Sequence, residues 1–97
     1  MRARIDFDAI SRAALPALPV LLARWLPGGR MRGREYYARN PLRTDRSIGS
    51  FHINVMTGRW SDFATGDRGG DVVGLYAYLR GIKQGEAARE LAQLLRV

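Results

Sequence analysis

The sequence predicts an α+β domain in which a small antiparallel sheet packs against helices at both ends of the chain. Near both termini, apolar residues recur at helical spacing, whereas in the middle third they alternate along the chain. Glycine-containing turns interrupt the alternation, which is typical of short antiparallel strands. The 97 residues are expected to form one domain, with helical elements over 1–29 and 71–95 and a sheet over 34–63.

The N-terminal element divides at two prolines. Asp6 or Asp8 is available as the N-cap of a first helix. Pro16 and Pro19 interrupt the run, since proline removes a backbone donor and clashes with the preceding turn. We expect one helix that ends at about residue 15 and a second that begins at the second proline and ends at residue 26. The side chains expected to be buried are Leu15, Val20, Leu21, Leu22, Trp25 and Leu26.

The middle third predicts three strands. Residues 34–39 form the first, and residues 50–55 alternate apolar and polar side chains as the second. A turn that uses Gly58 in a positive-φ conformation leads into a partner strand over 59–63. The polar, basic segment between the first strand and this hairpin is predicted to be a loop.

Two helices complete the prediction. Asp71 is placed to cap a helix whose apolar positions Val72, Leu75, Tyr76 and Leu79 follow helical spacing, and Gly81 ends it. A last helix over 84–95 has a second apolar face. That face consists of Ala87, Ala88, Leu91, Leu94 and Leu95.

The charge balance indicates a partner that carries phosphates. Sixteen basic residues against nine acidic ones give a net charge of +7, and lysine contributes only one of the sixteen. Arginine presents a planar fork of donors that matches phosphate and stacks on bases. A GC-rich genome is the alternative explanation for the arginine excess, although it explains the ratio of arginine to lysine better than the net charge.

A basic segment with aromatic residues is the strongest functional feature. Residues 30–46 contain six arginines against Glu35 and Asp45, with Tyr36 and Tyr37 in the middle. Arginines interleaved with aromatic rings on a small sheet suit single-stranded DNA, with RNA or duplex as alternatives. The alternative interpretation is that these charges only form a solvated surface and bind no ligand. The candidate nucleic-acid-binding residues are Arg39, Arg43, Arg46, His52, Arg59, Trp60 and Arg68.

Few residues suggest catalysis or a metal. The chain has no cysteine and one histidine, His52, for which the sequence indicates no catalytic partners. Asp62, Asp67 and Asp71 suggest a magnesium cluster, but ion pairs with interleaved arginines are the simpler interpretation. The glycines of residues 66–70 lack the lysine and hydroxyl of a nucleotide loop, and a tight turn is favoured. We therefore expect no enzyme activity, cofactor or bound metal.

The apolar stretch near the N-terminus does not suggest a membrane segment. Two acids precede it, two prolines interrupt it and Arg24 lies inside it. We expect neither a signal peptide nor a transmembrane span. The absence of cysteine fits a cytoplasmic protein.

The order of elements and several short motifs resemble the zinc-binding domain of bacterial and phage DNA primases. These motifs are NPLR at residues 40–43, GSF at 49–51 and DFAT at 62–65, followed by GGD at 69–71. The chain looks closest to metal-free versions of this module in primase-like proteins of mobile elements. The resemblance implies a zinc-ribbon-like hairpin, template binding and a primase or helicase as protein partner, with primer synthesis performed elsewhere.

The resemblance fails at the four metal ligands. It places Asn40, Arg43, Asp62 and Thr65 where the family has its Cys-His-Cys-Cys set. Arginine cannot coordinate a metal, and amide and hydroxyl groups are poor zinc ligands. We expect an Arg43–Asp62 ion pair, supported by hydrogen bonds from the other two residues, to hold the two loops together instead.

A protein–protein adaptor is the alternative function. In this interpretation the fold is retained, nucleic-acid binding has been lost with the metal, and residues 18–26 or the last helix dock a partner within a replication complex. An exposed apolar patch on those helices would favour docking, whereas a positive surface centred on the hairpin would favour nucleic acid.

Overall fold

The computed structural model describes residues 5–43 and 48–97 and has the predicted α+β fold. Two short helices come first, α1 (Phe7–Ala14) and α2 (Leu18–Trp25), separated by one 3₁₀ turn (Leu15–Ala17). The Asp6 carboxylate accepts a hydrogen bond from the Ala9 N–H at 3.0 Å, so Asp6 rather than Asp8 is the N-cap. The break between the helices lies at the prolines, as predicted.

Five antiparallel strands form one sheet in the order β1-β2-β3-β4-β5. The sequence predicted the three central strands to within one residue at each end but did not predict the two at the edges. Both edge strands are short and lack apolar alternation, so the sheet begins and ends outside the predicted range 34–63. The strands are β1 (Arg30–Arg32), β2 (Glu35–Ala38), β3 (Phe51–Asn54), β4 (Trp60–Asp62) and β5 (Arg68–Gly69).

The turn between β3 and β4 requires glycine for two reasons. Gly58 has a φ of +81°, and a Cβ at this position would lie 2.9 Å from Cγ2 of Val72. The Asn54 side-chain oxygen accepts hydrogen bonds from the N–H groups of Met56 and Thr57, which fixes the same turn. The predicted hairpin is confirmed.

The two C-terminal helices, α3 (Val72–Arg80) and α4 (Gln84–Leu95), also lie where the sequence predicted them. The Asp71 carboxylate accepts from the Gly74 N–H at 2.7 Å and caps α3, and Gly81 ends that helix with a φ of +67°. The Ser11 hydroxyl accepts from the Val73 N–H, which links α1 to the start of α3.

The core lies on one side of the sheet. It joins inward-facing strand residues such as Phe51 and Ile53 to apolar residues of all four helices, including Leu22, Leu75 and Leu91. Two side chains that the sequence placed in the core are exposed instead: Val20 by 59% and Leu94 by 48%. Within the described residues no helix combines the length and apolarity that crossing a membrane requires.

Candidate nucleic-acid interface

Three of the four residues that were expected to hold the two loops together converge on one polar cluster. The buried Asp62 carboxylate accepts hydrogen bonds from Asn40 Nδ2 at 2.9 Å and from Arg43 Nε at 3.1 Å. The same guanidinium group donates to the Ser50 hydroxyl at 2.6 Å. The predicted Arg43–Asp62 ion pair is therefore present. We call Asn40, Arg43 and Asp62 the polar clasp, because they join the segment after β2 to the end of β4.

The clasp keeps Asp62 ionised. Burial by itself raises the pKa of this carboxyl group, because it removes water from the charged form. Hydrogen bonds from Asn40 and Arg43, a further one from the Ala64 N–H, and the positive charge of the guanidinium group act in the opposite direction. Together they outweigh burial and lower the pKa from 3.8 to about 2.

The clasp extends to α3 through Tyr78. Asn40 Nδ2 donates to the Tyr78 hydroxyl at 2.8 Å, and this hydroxyl donates to the Asp67 carboxylate at 2.7 Å. Burial raises the pKa of Tyr78; the hydrogen bond from Asn40 opposes this rise, whereas the bond to Asp67 reinforces it. The phenol thus stays protonated at neutral pH and remains a donor to Asp67.

The fourth predicted member, Thr65, is not part of the clasp. Its side chain is exposed and accepts a hydrogen bond from the Asp67 N–H at 3.1 Å. The Asp62 carbonyl accepts hydrogen bonds from the backbone N–H groups of Thr65 and Gly66, and residues 62–66 therefore form a tight turn. In the described part of the chain, no group of three or more His, Cys, Asp or Glu side chains is arranged to hold a metal ion.

The three aspartates suggested as a magnesium cluster have separate roles. Asp62 belongs to the clasp, Asp67 accepts from Tyr78, and Asp71 caps α3. Within the described residues these three carboxylates do not form a group arranged to hold a metal ion. The expected neutralising ion pair forms, but with Arg43 rather than with the interleaved Arg59 or Arg68. The glycine segment shapes the turn that leads to β5 and α3, as the simpler interpretation proposed.

Trp60 also differs from the prediction that it binds nucleic acid, because it lies in the core. Its side chain is 6% exposed, and its ring lies 4.6 Å from the Tyr78 ring and 6.4 Å from the Phe51 ring. Gly69 packs directly against it, since a Cβ on Gly69 would lie 2.5 Å from Nε1 of Trp60. A base cannot stack on this ring while the fold is intact.

The opposite face of the sheet is exposed or half-buried, and we call it the open face. The strand register places Tyr37 beside His52 on neighbouring strands, and Ser61 beside both His52 and Arg68. Arg30 pairs with Tyr37 at the other edge, so one row of side chains crosses all five strands. The strand residues of the open face are Arg30, Arg32, Glu35, Tyr37, His52, Asn54, Ser61 and Arg68.

Planar groups form a stacked ladder across the open face. The Arg32 guanidinium carbon lies 6.0 Å from the Tyr37 ring centre, and the rings of Tyr37 and His52 are 5.4 Å apart. The Phe63 ring follows at 4.8 Å from His52. We call Arg32, Tyr37, His52 and Phe63 the aromatic ladder. Phe63 is 75% exposed, so the ladder ends in a ring that is largely open to solvent.

Hydrogen bonds fix the central ring of the ladder. His52 Nδ1 donates to the Glu35 carboxylate at 2.9 Å, and Nε2 lies 3.0 Å from the Ser61 hydroxyl. This order of serine, histidine and acid matches a hydrolase triad. However, the N–H of Asp62, which follows the serine, donates to the Asp67 carbonyl at 2.8 Å. That donor is not available for an oxyanion, so we assign the contacts to ring orientation.

The remaining candidate residues have different positions. Arg59 and Arg68 line one groove of the open face together with Phe63, and Arg39 lines a second groove with Tyr37. Arg43 lies in the clasp, and Arg46 lies outside the described residues. Arg30, Arg32 and Phe63 were not among the candidate residues, although Arg30 and Arg32 belong to the basic segment 30–46. Continuing the alternation of β4 past Asp62 would have placed Phe63 on the open face.

Comparison with known protein sequences does not assign this chain to a family. No protein-family model matches the chain, and no curated protein sequence matches it. The ligand of the open face must therefore be inferred from its charges and rings.

Proposed function

We propose that this chain is a non-catalytic nucleic-acid-binding domain that holds single-stranded DNA on its open face. The observation that carries the proposal is the row in which Arg30 and Arg68 flank Tyr37, His52 and Ser61. Guanidinium groups pair with phosphates, whereas aromatic rings accept unpaired bases. The two chemistries thus lie on one surface at the spacing of neighbouring strands.

The charge of the open face supports this proposal. Glu35 is the one carboxylate among its strand residues, and its oxygens accept from His52 and from Asn54 Nδ2. Arg30, Arg32 and Arg68 outnumber this single acid. Arg39 adds positive charge to one groove, and Arg59 lines the other together with Asp62 and Asp67. A chain with a net charge of +7 attracts polyanions over a distance set by the ionic strength.

The resemblance to the primase zinc-binding domain leads to the same ligand. In this proposal the clasp replaces the metal as the connection between the two loops, and the domain serves replication of a plasmid, phage or integrated element in the cytoplasm. Formation of the primer bond belongs to another domain or to a primase or helicase partner.

The exposed surfaces of the helices support the adaptor alternative less well than the open face supports nucleic-acid binding. Leu18, Leu21, Leu22 and Leu26 of the proposed docking segment are buried in the core, whereas Val20 of the same segment is 59% exposed. The described helices have three exposed large apolar side chains, Phe7 on α1, Val20 on α2 and Leu94 on α4, whereas Arg30, Arg32 and Arg68 share the open face. This distribution favours a polyanion over an apolar docking partner.

Fluorescence-anisotropy titration tests the proposal. We expect single-stranded DNA to bind at low salt, with an affinity that decreases linearly on a log–log plot as salt rises. Arg68→Glu and Arg39→Glu should each weaken binding by about five- to ten-fold and reduce the salt slope by about one, because each removes a phosphate contact. Arg89→Glu, at an exposed position of α4, is the matched control for net charge.

Two outcomes would contradict the proposal. The first is an absence of binding to any strand at low salt. The second is an equal loss for Arg68→Glu and Arg89→Glu, which would show a response to net charge rather than a defined site. Parallel titrations with RNA and duplex of the same length identify the preferred strand type.

A further inference from the structure

We infer that the exposed face of Phe63 is a stacking site for one unpaired nucleobase, and that this base extends the aromatic ladder. The inference rests on the proposed function and adds the residue that distinguishes a single strand from a duplex. Trp60 was the expected stacking residue, but its ring lies in the core. In this proposal Phe63, which lies three residues further along the chain and on the open face, is the stacking residue instead.

The exposure of Phe63 is the first observation. Its side chain is 75% exposed, the largest exposed fraction among the large apolar residues described. One side of the ring packs on His52, at a centre-to-centre distance of 4.8 Å and an interplanar angle of 37°. The other side is therefore free for a planar ligand. A base stacked there would continue a series of planes already present in the protein.

The backbone around Phe63 is held at three consecutive residues. The Asp62 N–H donates to the Asp67 carbonyl at 2.8 Å, and the Phe63 N–H donates to the Ser50 carbonyl at 2.9 Å. The Ala64 N–H donates to the Asp62 carboxylate at 2.9 Å. Because the clasp fixes that carboxylate, Phe63 projects from a rigid segment. A rigid aromatic side chain loses little conformational entropy when a ligand binds.

The ring beneath Phe63 is also fixed. Hydrogen bonds at both ring nitrogens hold His52 between Glu35 and Ser61, and Tyr37 stacks on it at an interplanar angle of 26°. Phe63 therefore rests on an ordered support. In this arrangement the Ser61–His52–Glu35 contacts orient the ring on which Phe63 rests.

Two arginines beside the ring favour a nucleotide over an apolar group as the ligand. Phe63 shares its groove with Arg59 and Arg68, whose guanidinium groups can pair with the phosphates on either side of a stacked base. Three carboxylates line the same groove, but each already accepts a hydrogen bond from a neighbouring side chain: Glu35 from His52, Asp62 from Arg43 and Asp67 from Tyr78. In a duplex the faces of internal bases are covered by their neighbours. Only a single strand, or the end of a duplex, can present a base to Phe63.

The test uses Phe63→Leu, which keeps an apolar side chain and removes the aromatic ring. We expect it to weaken binding to single-stranded DNA by roughly ten-fold, because stacking on one aromatic ring contributes on that scale. Affinity for an otherwise identical strand of abasic sites should not change. Phe7→Leu, a substitution of the same kind on the partly exposed Phe7 of α1, is the matched control.

Phe63→Trp supplies an independent readout. We expect this variant to retain the affinity of the unsubstituted protein. Its additional tryptophan emission, measured against the protein without the substitution, should be quenched by a strand with bases and not by the abasic strand.

Two results would overturn the stacking site while leaving the proposed function intact: strong binding that Phe63→Leu does not weaken, or an equal loss of affinity for the abasic strand. If the unsubstituted protein binds no strand at low salt, the proposed function itself is contradicted. The two failures are therefore distinguishable.

Discussion

Replacement of Arg43 by alanine is expected to lower the free energy of unfolding by about 3 kcal/mol, because it leaves a buried carboxylate without its cation. The Asp62 side chain is 0% exposed, and water cannot solvate its charge. The Arg43 side chain is 31% exposed, which allows some water to enter the vacated space. The expected loss thus lies at the lower end of the range for buried pairs.

Chemical denaturation in urea measures this loss, with the slope of the transition as a check that the folded state has kept its compactness. Arg39→Ala, at an exposed position nearby, should change stability by no more than about 0.5 kcal/mol. Thr65→Ala should have a similarly small effect, because Thr65 lies outside the clasp. An unchanged stability in Arg43→Ala would show that the ion pair contributes nothing to the fold.

The presence of the clasp also predicts that the stability of the fold does not depend on zinc. If the polar groups hold the two loops together, added zinc should not raise the melting temperature, and a chelator should not lower it. A zinc-dependent increase in melting temperature would contradict the assignment of Asn40, Arg43 and Asp62 to this role. Asn40 and Arg43 already donate hydrogen bonds to both oxygens of the Asp62 carboxylate.

The second large effect is a loss of stability in acid that depends on Asp62. The pKa of this group is about 2 in the folded protein, below its ordinary value of 3.8. The ionised carboxylate therefore stabilises the fold fully above about pH 5, and this contribution is lost as the pH falls through 4 to 2. The difference in pKa corresponds to about 2 kcal/mol.

Comparison with Asp62→Asn isolates this contribution from those of the other acids. The variant lacks the titrating group, so the stability difference between the two proteins should shrink by about 2 kcal/mol between about pH 6 and about pH 2. Denaturant titrations at a series of pH values provide the measurement. A difference that stays constant over this range would mean that the pKa of Asp62 is not lowered by folding.

Local signals explain why much of the fold was predictable. Asp71 precedes an apolar run at helical spacing, and Gly81 follows it, so both ends of α3 are visible in the sequence. Gly58 marks the hairpin because its turn needs a positive φ. Both signals act within a few residues, where the physics of capping and turns is independent of the rest of the chain.

The edge strands and the position of Trp60 were not predictable in this way. β1 and β5 consist of exposed or half-buried residues that pair with a neighbouring strand, and pairing of this kind leaves no apolar periodicity. Trp60 and Phe63 are three residues apart and both aromatic. The pleat of β4 sends one to the core and the other to the open face, because side chains alternate along a strand.

The sequence by itself determined the fold class, the two C-terminal helices and the central hairpin, whereas the pairing of Arg43 with Asp62 was expected from the resemblance to the primase domain. Capping and turn geometry are short-range, and they can be recognised residue by residue. Only the tertiary structure decided that Thr65 lies outside the clasp, that Trp60 is buried, and that Arg32, Tyr37, His52 and Phe63 stack in one ladder. These depend on the register between strands distant in sequence, which is set by the packing of the whole core.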